Sequence, residues 1–426
     1  MNNTKLISGP FSQCPQCNNL SLGTLFVDIN CSKRGCSSCK FLFTEKLPKI
    51  TKKIIYLDQF VISNLSLIAS NNTRFERSGI KEFWLEVYKK IIYLTKLNLI
   101  ICPFSYFHVE ESLSAKEFEY LQLFYQSLSN WIRFKDHHTI IKEQITEHFN
   151  NYLNDKFDIP PEIGLSSGFK RDPNGWFIFW NDPKTLKLDQ FPSKDELIIE
   201  IADTRDSAYL ELQKTFDRWK NSKGEFNDLV WEEALSFGDE KLKMHFTYTN
   251  NVNSYVRGET KELMPMPPSF LLIKEMHDIV KRKNILDKKE IFKIIEEYFD
   301  HNSILKVPYI RLSTEYYASI ARELYLGKKK LPSRGIFNDN EFISAFLPYC
   351  DAMFIDKEGE VLFSKKPLRE EKNLYSTEIF SLSSKDSFIS YLDKILAEAS
   401  EDHINIVKKI YDNEWLESDK FAVWSL

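Results

Sequence analysis

No apolar run in this chain approaches the roughly 18–20 residues that a helix needs to cross a bilayer. The opening segment MNNTKLISGPFSQC lacks the apolar centre of a secretory signal, so a cytoplasmic protein with no membrane partner is expected. Strong charge of either sign is missing too. The formal net charge is −4 over 426 residues, and the pI is about 6.1. Bulk electrostatics therefore do not advertise nucleic acid, and any attraction for phosphate must be local. There is no GxxxxGK[ST] loop, which removes the usual cradle for a nucleoside triphosphate. Cysteine is scarce outside one short stretch: five of the seven lie between Cys14 and Cys39. In a long cytosolic chain, such clustering favours metal over disulfides.

What is present describes a folded protein. At 43% hydrophobic and 14% aromatic residues, the chain has ample material for a core, in one large or two to three ordinary domains. Cys14-Pro-Gln-Cys17 and Cys36-Ser-Ser-Cys39 are two CxxC knuckles separated by eighteen residues. That spacing predicts a zinc ribbon over residues 1–48, with four thiolates around a structural Zn²⁺. LGTLFVDI and KFLF supply ribbon strands, and Cys31 with Cys36 offers an alternative pair. Lys33 and Arg34 fall on the intervening loop, as phosphate contacts or as a solvated tip.

After a basic linker, Ile54-Ile55-Tyr56-Leu57-Asp58 reads as a buried strand delivering a carboxylate into the helix that follows. A helix over 81–96, a strand over 97–102 and a helix N-capped by Ser105 continue the pattern. Strand–helix–strand–helix order implies a parallel sheet flanked by helices. Residues 115–310 change character, to long amphipathic segments including 194–219, and read as a large mostly helical insertion. Within it, WFIFW at 176–180 is a candidate short strand. The sheet resumes in 311–426, where 350–356 reads as a strand with a carboxylate at each end. A turn at 357–359, a last strand near 376–381 and two closing helices follow.

Five acids fall at strand ends or nearby helix starts: Asp58, Glu111, Asp339, Asp351 and Asp356. Carboxylate oxygens with waters suit Mg²⁺ or Mn²⁺, and such clusters clamp phosphodiesters for attack by water. Plain alternatives exist for several. Asp339 lies in a segment with capping-box spacing, Asp356 precedes a turn-like Lys-Glu-Gly, and Glu110 is a substitute for Glu111. His108 is expected to be a packed or supporting histidine, and Cys102 and Cys350 buried thiols. Lys328, Lys329, Lys330, Arg334, Lys365 and Lys366 are either local phosphate attractors or solvated lysines and arginine.

These residues carry a resemblance to the PIN-like nuclease superfamily. Tyr56-Leu57-Asp58-Gln59, then Ser105, His108 and Glu111, resemble its first two elements. Phe337-Asn338-Asp339 and Leu347-Pro348-Tyr349-Cys350-Asp351, ending at Asp356, are similar to the last two. The likeness covers 53–114 and 333–392, with Phe60 and Phe342 where many relatives carry polar residues. It implies an α/β PIN-like fold and metal-dependent endonuclease activity, on RNA more than DNA, in an antiphage-defence or toxin-like role. Asp58, Glu111, Asp339 and Asp351 would hold Mg²⁺ or Mn²⁺, with Asp356 completing the catalytic set. The competing expectation is a non-catalytic sensor or adaptor that binds nucleic acid or a protein partner through the ribbon.

Overall fold

The computed structural model describes residues 7–70, 81–113, 115, 118–180, 214–217, 219–220, 224–327 and 335–418. Most of the helix expected over 194–219, and the basic group at 328–330 with Arg334, lie outside them. The chain begins with an antiparallel sheet of β1 (Ser8–Gln13), β2 (Leu20–Val27), β3 (Cys31–Cys36) and β4 (Leu42–Lys46), hydrogen-bonded in that order. The two cysteine knuckles sit in its turns. Arg34 is not at a solvated tip: its guanidinium is buried and donates to the carbonyls of Pro10 and Leu22 at 2.9 and 2.8 Å. An arginine this buried needs such acceptors, and its role is structural.

The second sheet is parallel throughout. β5 (Lys53–Leu57) leads into α1 (Gln59–Ala69) and α2 (Lys81–Lys96), and β6 (Ile100–Ile101) follows. α3 (Tyr106–Ser112), α4 (Phe118–Ser129), α5 (His137–Tyr152) and α6 (Leu165–Gly168) come next. Across the sheet the order is β6, β5, β8 (Ala352–Phe354) and β9 (Glu378–Phe380). Ile55 pairs with Ala352 and Leu57 with Phe354, while Phe354 pairs with Phe380. β5 is apolar without alternation because both of its faces are covered. Ile54 and Tyr56 enter one apolar cluster, and Ile55 and Leu57 enter another. The strand expected over 97–102 shortens to its two fully buried isoleucines.

The helices divide between those faces. On the side of Ile55 and Leu57 lie α1, α2, α4 and α14 (Lys385–Ala397). The other side carries α3, α5 and the long helices α7 (Phe226–Val256), α8 (Pro268–Lys281), α9 (Lys288–Phe299) and α10 (Pro308–Tyr325). α11 (Ile336–Phe346), α12 (Lys357–Phe363) and α13 (Leu368–Leu374) close that layer. Most of the helical stretch between the two halves of the sheet thus shares a core with β5, and α4 packs on the opposite face. Close approach within it is enforced at Gly238 on α7, where a Cβ would meet Phe299 Cβ at 2.7 Å.

The antiparallel sheet is tied to the body in three ways. Part of WFIFW forms the expected strand, β7 (Phe179–Trp180), and pairs with β2. Thr24 Oγ1 donates to the Ile410 carbonyl at 2.8 Å, at the end of α15 (Glu401–Ile410). Val27, Trp176, Tyr411 and Trp415 share a small apolar cluster. The terminal α16 (Asn413–Glu417) is pinned by Lys96, a fully buried ammonium donating to the carbonyls of Trp415 and Ser418 at 2.6 Å.

Candidate functional site

Parallel strands bring their carboxyl ends to one edge, and side chains just beyond them gather there. Asp58 follows β5 and N-caps α1, its Oδ1 accepting from the Gln59 amide at 2.5 Å. It is only 9% exposed. Burial, then Glu111 and more weakly Asp356, push its carboxyl up to about 8 against the opposing Gln59 hydrogen bond. Asp356 follows β8 and caps α12 by accepting from Gly359 N at 2.6 Å. Glu111 comes from the last turn of α3 and accepts from Asn338 Nδ2 at 3.3 Å. Asp339 projects from the first turn of α11. It keeps some solvent contact, yet the protein around it, then Asp356, Asp58, Glu111 and Glu358, raise it well above the carboxylate range.

Four of the five acids singled out from the sequence therefore converge: Asp58, Glu111, Asp339 and Asp356. Two further residues join them. Glu358 raises Asp339, and Tyr316 on α10 is buried with a hydroxyl that has no hydrogen-bond partner among the described residues. After burial, Asp339 and Asp356 are what raise Tyr316, which places its hydroxyl within electrostatic reach of this cluster. An acid two residues after Asp356 was a readable signal for Glu358. Tyr316 had none, because one aromatic among many on a long amphipathic helix looks like core.

Neighbouring polar contacts hold the edge in place. Gln59 donates to Ser112 Oγ at 2.9 Å and Ser63 Oγ at 3.3 Å, and accepts from the Tyr125 hydroxyl. α1, α3 and α4 are thereby joined beside Asp58. His108 accepts the Ser105 amide on Nδ1 at 2.9 Å, which leaves Nε2 to donate to the Leu57 carbonyl at 2.7 Å. Both nitrogens are used, and burial lowers the imidazole to about 4 against the Leu57 bond. His108 is a neutral brace and not a ligand. Tyr56 stacks between His108 and Phe342, with centroids 5.0 and 5.1 Å away, while Phe60 packs on Trp84 and Phe354. Of the two phenylalanines at expected polar positions, Phe342 is a core residue and Phe60 is partly buried against the core.

Asp351 requires a correction. It precedes β8, so it lies at the amino edge of the sheet, about 15 Å from Asp356 at extended-strand spacing. There it accepts from Lys53 Nζ at 2.7 Å and from the Ile54 amide at 2.8 Å. A side chain held at that edge cannot share a metal with Asp58. Smaller revisions follow the same logic. The cap of α11 is Gly335, so Asp339 has no capping task. Glu110 helps to raise Glu341. The turn expected at 357–359 is the start of α12.

The cysteine cluster is tighter. Cys14, Cys17, Cys36 and Cys39 are, among the described residues, the one group of metal-type side chains whose ligand atoms all lie within 4.8 Å of one another. Cys14 and Cys39 Sγ are 3.6 Å apart, as are those of Cys17 and Cys36. A tetrahedron with Zn–S bonds near 2.3 Å has edges of about 3.8 Å, so the four can hold a metal such as zinc. The amides of Ser38 and Cys39 and the hydroxyl of Ser21 approach Cys36 Sγ at 3.4, 3.4 and 3.0 Å. Each knuckle closes on a left-handed residue, Asn18 at φ 59° and Lys40 at φ 63°. Cys31 opens β3, paired with Lys46 at the far end of that strand, and stays outside the cluster.

Compared with family models, with curated proteins and with solved structures, the chain finds no match. Fold and site define a class only: an α/β protein whose four-stranded parallel sheet lies between helical layers, with a four-cysteine cluster suited to a metal. Among the described residues no helix is long and apolar enough to cross a membrane.

Proposed function

We propose that this protein is a divalent-metal-dependent hydrolase of phosphodiester bonds, an endonuclease with RNA as its preferred substrate. The observation that carries this reading is the convergence of Asp58, Glu111, Asp339 and Asp356, with Asp58 and Asp339 both pushed upward by burial and by Glu111 and Asp356. Carboxylates held together at such electrostatic cost are relieved by a cation. The donors are all oxygen, which suits Mg²⁺ or Mn²⁺ over softer metals. No three of the carboxylates approach as closely as the four thiolates do, which leaves room for the waters Mg²⁺ retains.

When bound, such a cation supplies an activated water and neutralises charge building on a phosphate. The protein's own residues do the rest. Asp58, fixed by the Gln59 amide, and Asp339, presented from α11, give up protons as the cation binds. Glu111 and Asp356 complete the oxygen set, and the Tyr316 hydroxyl offers a donor to whatever oxygen enters. Structural zinc at Cys14, Cys17, Cys36 and Cys39 would make the first sheet a fixed recognition module, because a closed site leaves no position for substrate.

The test is incubation of the full chain with end-labelled single-stranded RNA and DNA in Mn²⁺, Mg²⁺ or EDTA. Metal-dependent cleavage of RNA, reduced at least about a hundredfold in Asp58→Asn, is expected. An intact substrate under all conditions would leave the adaptor reading in its place.

A further inference from the structure

Beside the acid cluster stands a buried polar atom without a protein partner. Tyr316 is 1% exposed on α10, and its hydroxyl meets no hydrogen-bonding group among the described residues. A phenol taken out of water without a partner is costly, so native interiors rarely leave one that way. Packing holds the ring in place. It sits in the core shared by α10, α11 and α12, with its centroid 6.2 Å from that of Phe363 on α12 and 6.4 Å from that of Tyr317.

The surroundings say what the missing partner must do. α10 packs along α11, which presents Asp339, and the Phe363 contact joins it to α12, which Asp356 caps. After burial, Asp339 does most to raise the phenol, then Asp356, with Tyr317 and Glu358 behind them. A phenol raised in this way keeps its proton, so Tyr316 is a donor among acceptors. A carboxylate within hydrogen-bond distance would accept from it directly, and none does. The hydroxyl therefore stands off from Asp339 and Asp356 while remaining in their field. What fits between a donor and two carboxylates is a single oxygen that accepts on one side and donates on the other. Water does both, whereas a phosphate oxygen of a nucleic acid only accepts.

We propose that Tyr316 is a positioning residue that holds a water between its hydroxyl and the carboxylates of Asp339 and Asp356. This rests on the reading of those acids as a cation site. Mg²⁺ and Mn²⁺ keep several of their waters, and a side chain that anchors one of them supports the cation without touching it. Tyr316 thus contributes before any nucleic acid arrives, which separates it from a residue that binds substrate. Tyr317, next on the same helix, packs instead with Trp219 and Phe337, at centroid distances of 6.0 and 6.1 Å.

Calorimetric titration of the full chain with Mn²⁺, without nucleic acid, tests this on the wild type, Tyr316→Phe and Tyr317→Phe. Phenylalanine keeps the ring and removes the donor. Tyr316→Phe is expected to bind Mn²⁺ about tenfold more weakly than the wild type, as when a group supporting a metal site is lost. Tyr317→Phe should keep the wild-type affinity. Melting in metal-free buffer reads the fold separately: Tyr316→Phe should stay within about 3 °C of the wild type, because no hydrogen bond to the protein is lost. Wild-type Mn²⁺ affinity in Tyr316→Phe would overturn the proposal and leave the cation site standing. Equal losses in both tyrosine variants, or a metal-free melting temperature of Tyr316→Phe far below that of the wild type, would make the role structural and overturn it too. A wild type that takes up no Mn²⁺ would remove the cation site itself, and Tyr316's part with it.

Discussion

The two ends of one short strand separate a structural carboxylate from a chemical one. Asp351 and Asp356 bracket β8 and look alike in sequence. At the amino edge, Asp351 meets an ammonium and a backbone amide, and its charge is matched by neighbours. At the carboxyl edge, Asp356 contributes to raising Asp58 and Asp339. Parallel strands make the two edges inequivalent, since helix N-termini and loops from several crossovers meet at the carboxyl end alone. An acid at one edge finishes a strand start; acids at the other crowd together. That difference defines what each substitution should do.

The largest effect is expected at the crowded end. Asp339→Asn, like Asp58→Asn, should lower metal-dependent cleavage at least about a hundredfold while leaving the helical circular dichroism intact. A pH effect comes next. Asp58 titrates near 8 in the folded protein against an ordinary carboxyl near 4, so the folded state binds more protons than the unfolded state between those values. Stability should fall as pH rises through that window in buffer free of Mg²⁺ and Mn²⁺. Thermal melting should thus occur at a lower temperature at pH 8 than at pH 6. Added Mn²⁺ should restore it, and Asp58→Asn should flatten the slope. A melting temperature that rises from pH 6 to pH 8, with the same slope in the variant, would contradict the electrostatics. The smallest effect is expected at the amino edge. Asp351→Ala removes a solvent-exposed ion pair and one hydrogen bond, costing about 1 kcal/mol in urea unfolding and leaving cleavage within about twofold.

Much of this was legible in the residues. The two CxxC spacings identified the thiolate cluster, because a tetrahedral site demands short, paired knuckles. The apolar run of β5 identified a doubly covered strand, and its terminal Asp58 an edge acid. Asp339 followed from its position near a helix start, whereas Glu111, expected near one too, sits in the last turn of α3. Asp351 and Asp356 differ in chain order alone: in a parallel sheet an acid before a strand falls at the amino edge and one after it at the carboxyl edge, and the parallel pairing of Ala352 with Ile55 shows that β8 follows this rule. Tyr316 was illegible. Its place beside the acids depends on α10 and α11 packing side by side, and amphipathic spacing within a helix does not say what its polar face will meet.

Binding of Mn²⁺, followed by calorimetry on the wild type, Asp356→Asn and Asp351→Asn at pH 7.5, tests the central claim most directly. Cation binding at the carboxyl edge predicts that Asp351→Asn keeps the wild-type affinity while Asp356→Asn loses about tenfold or more. Equal loss in both variants, or loss in Asp351→Asn alone, would contradict it.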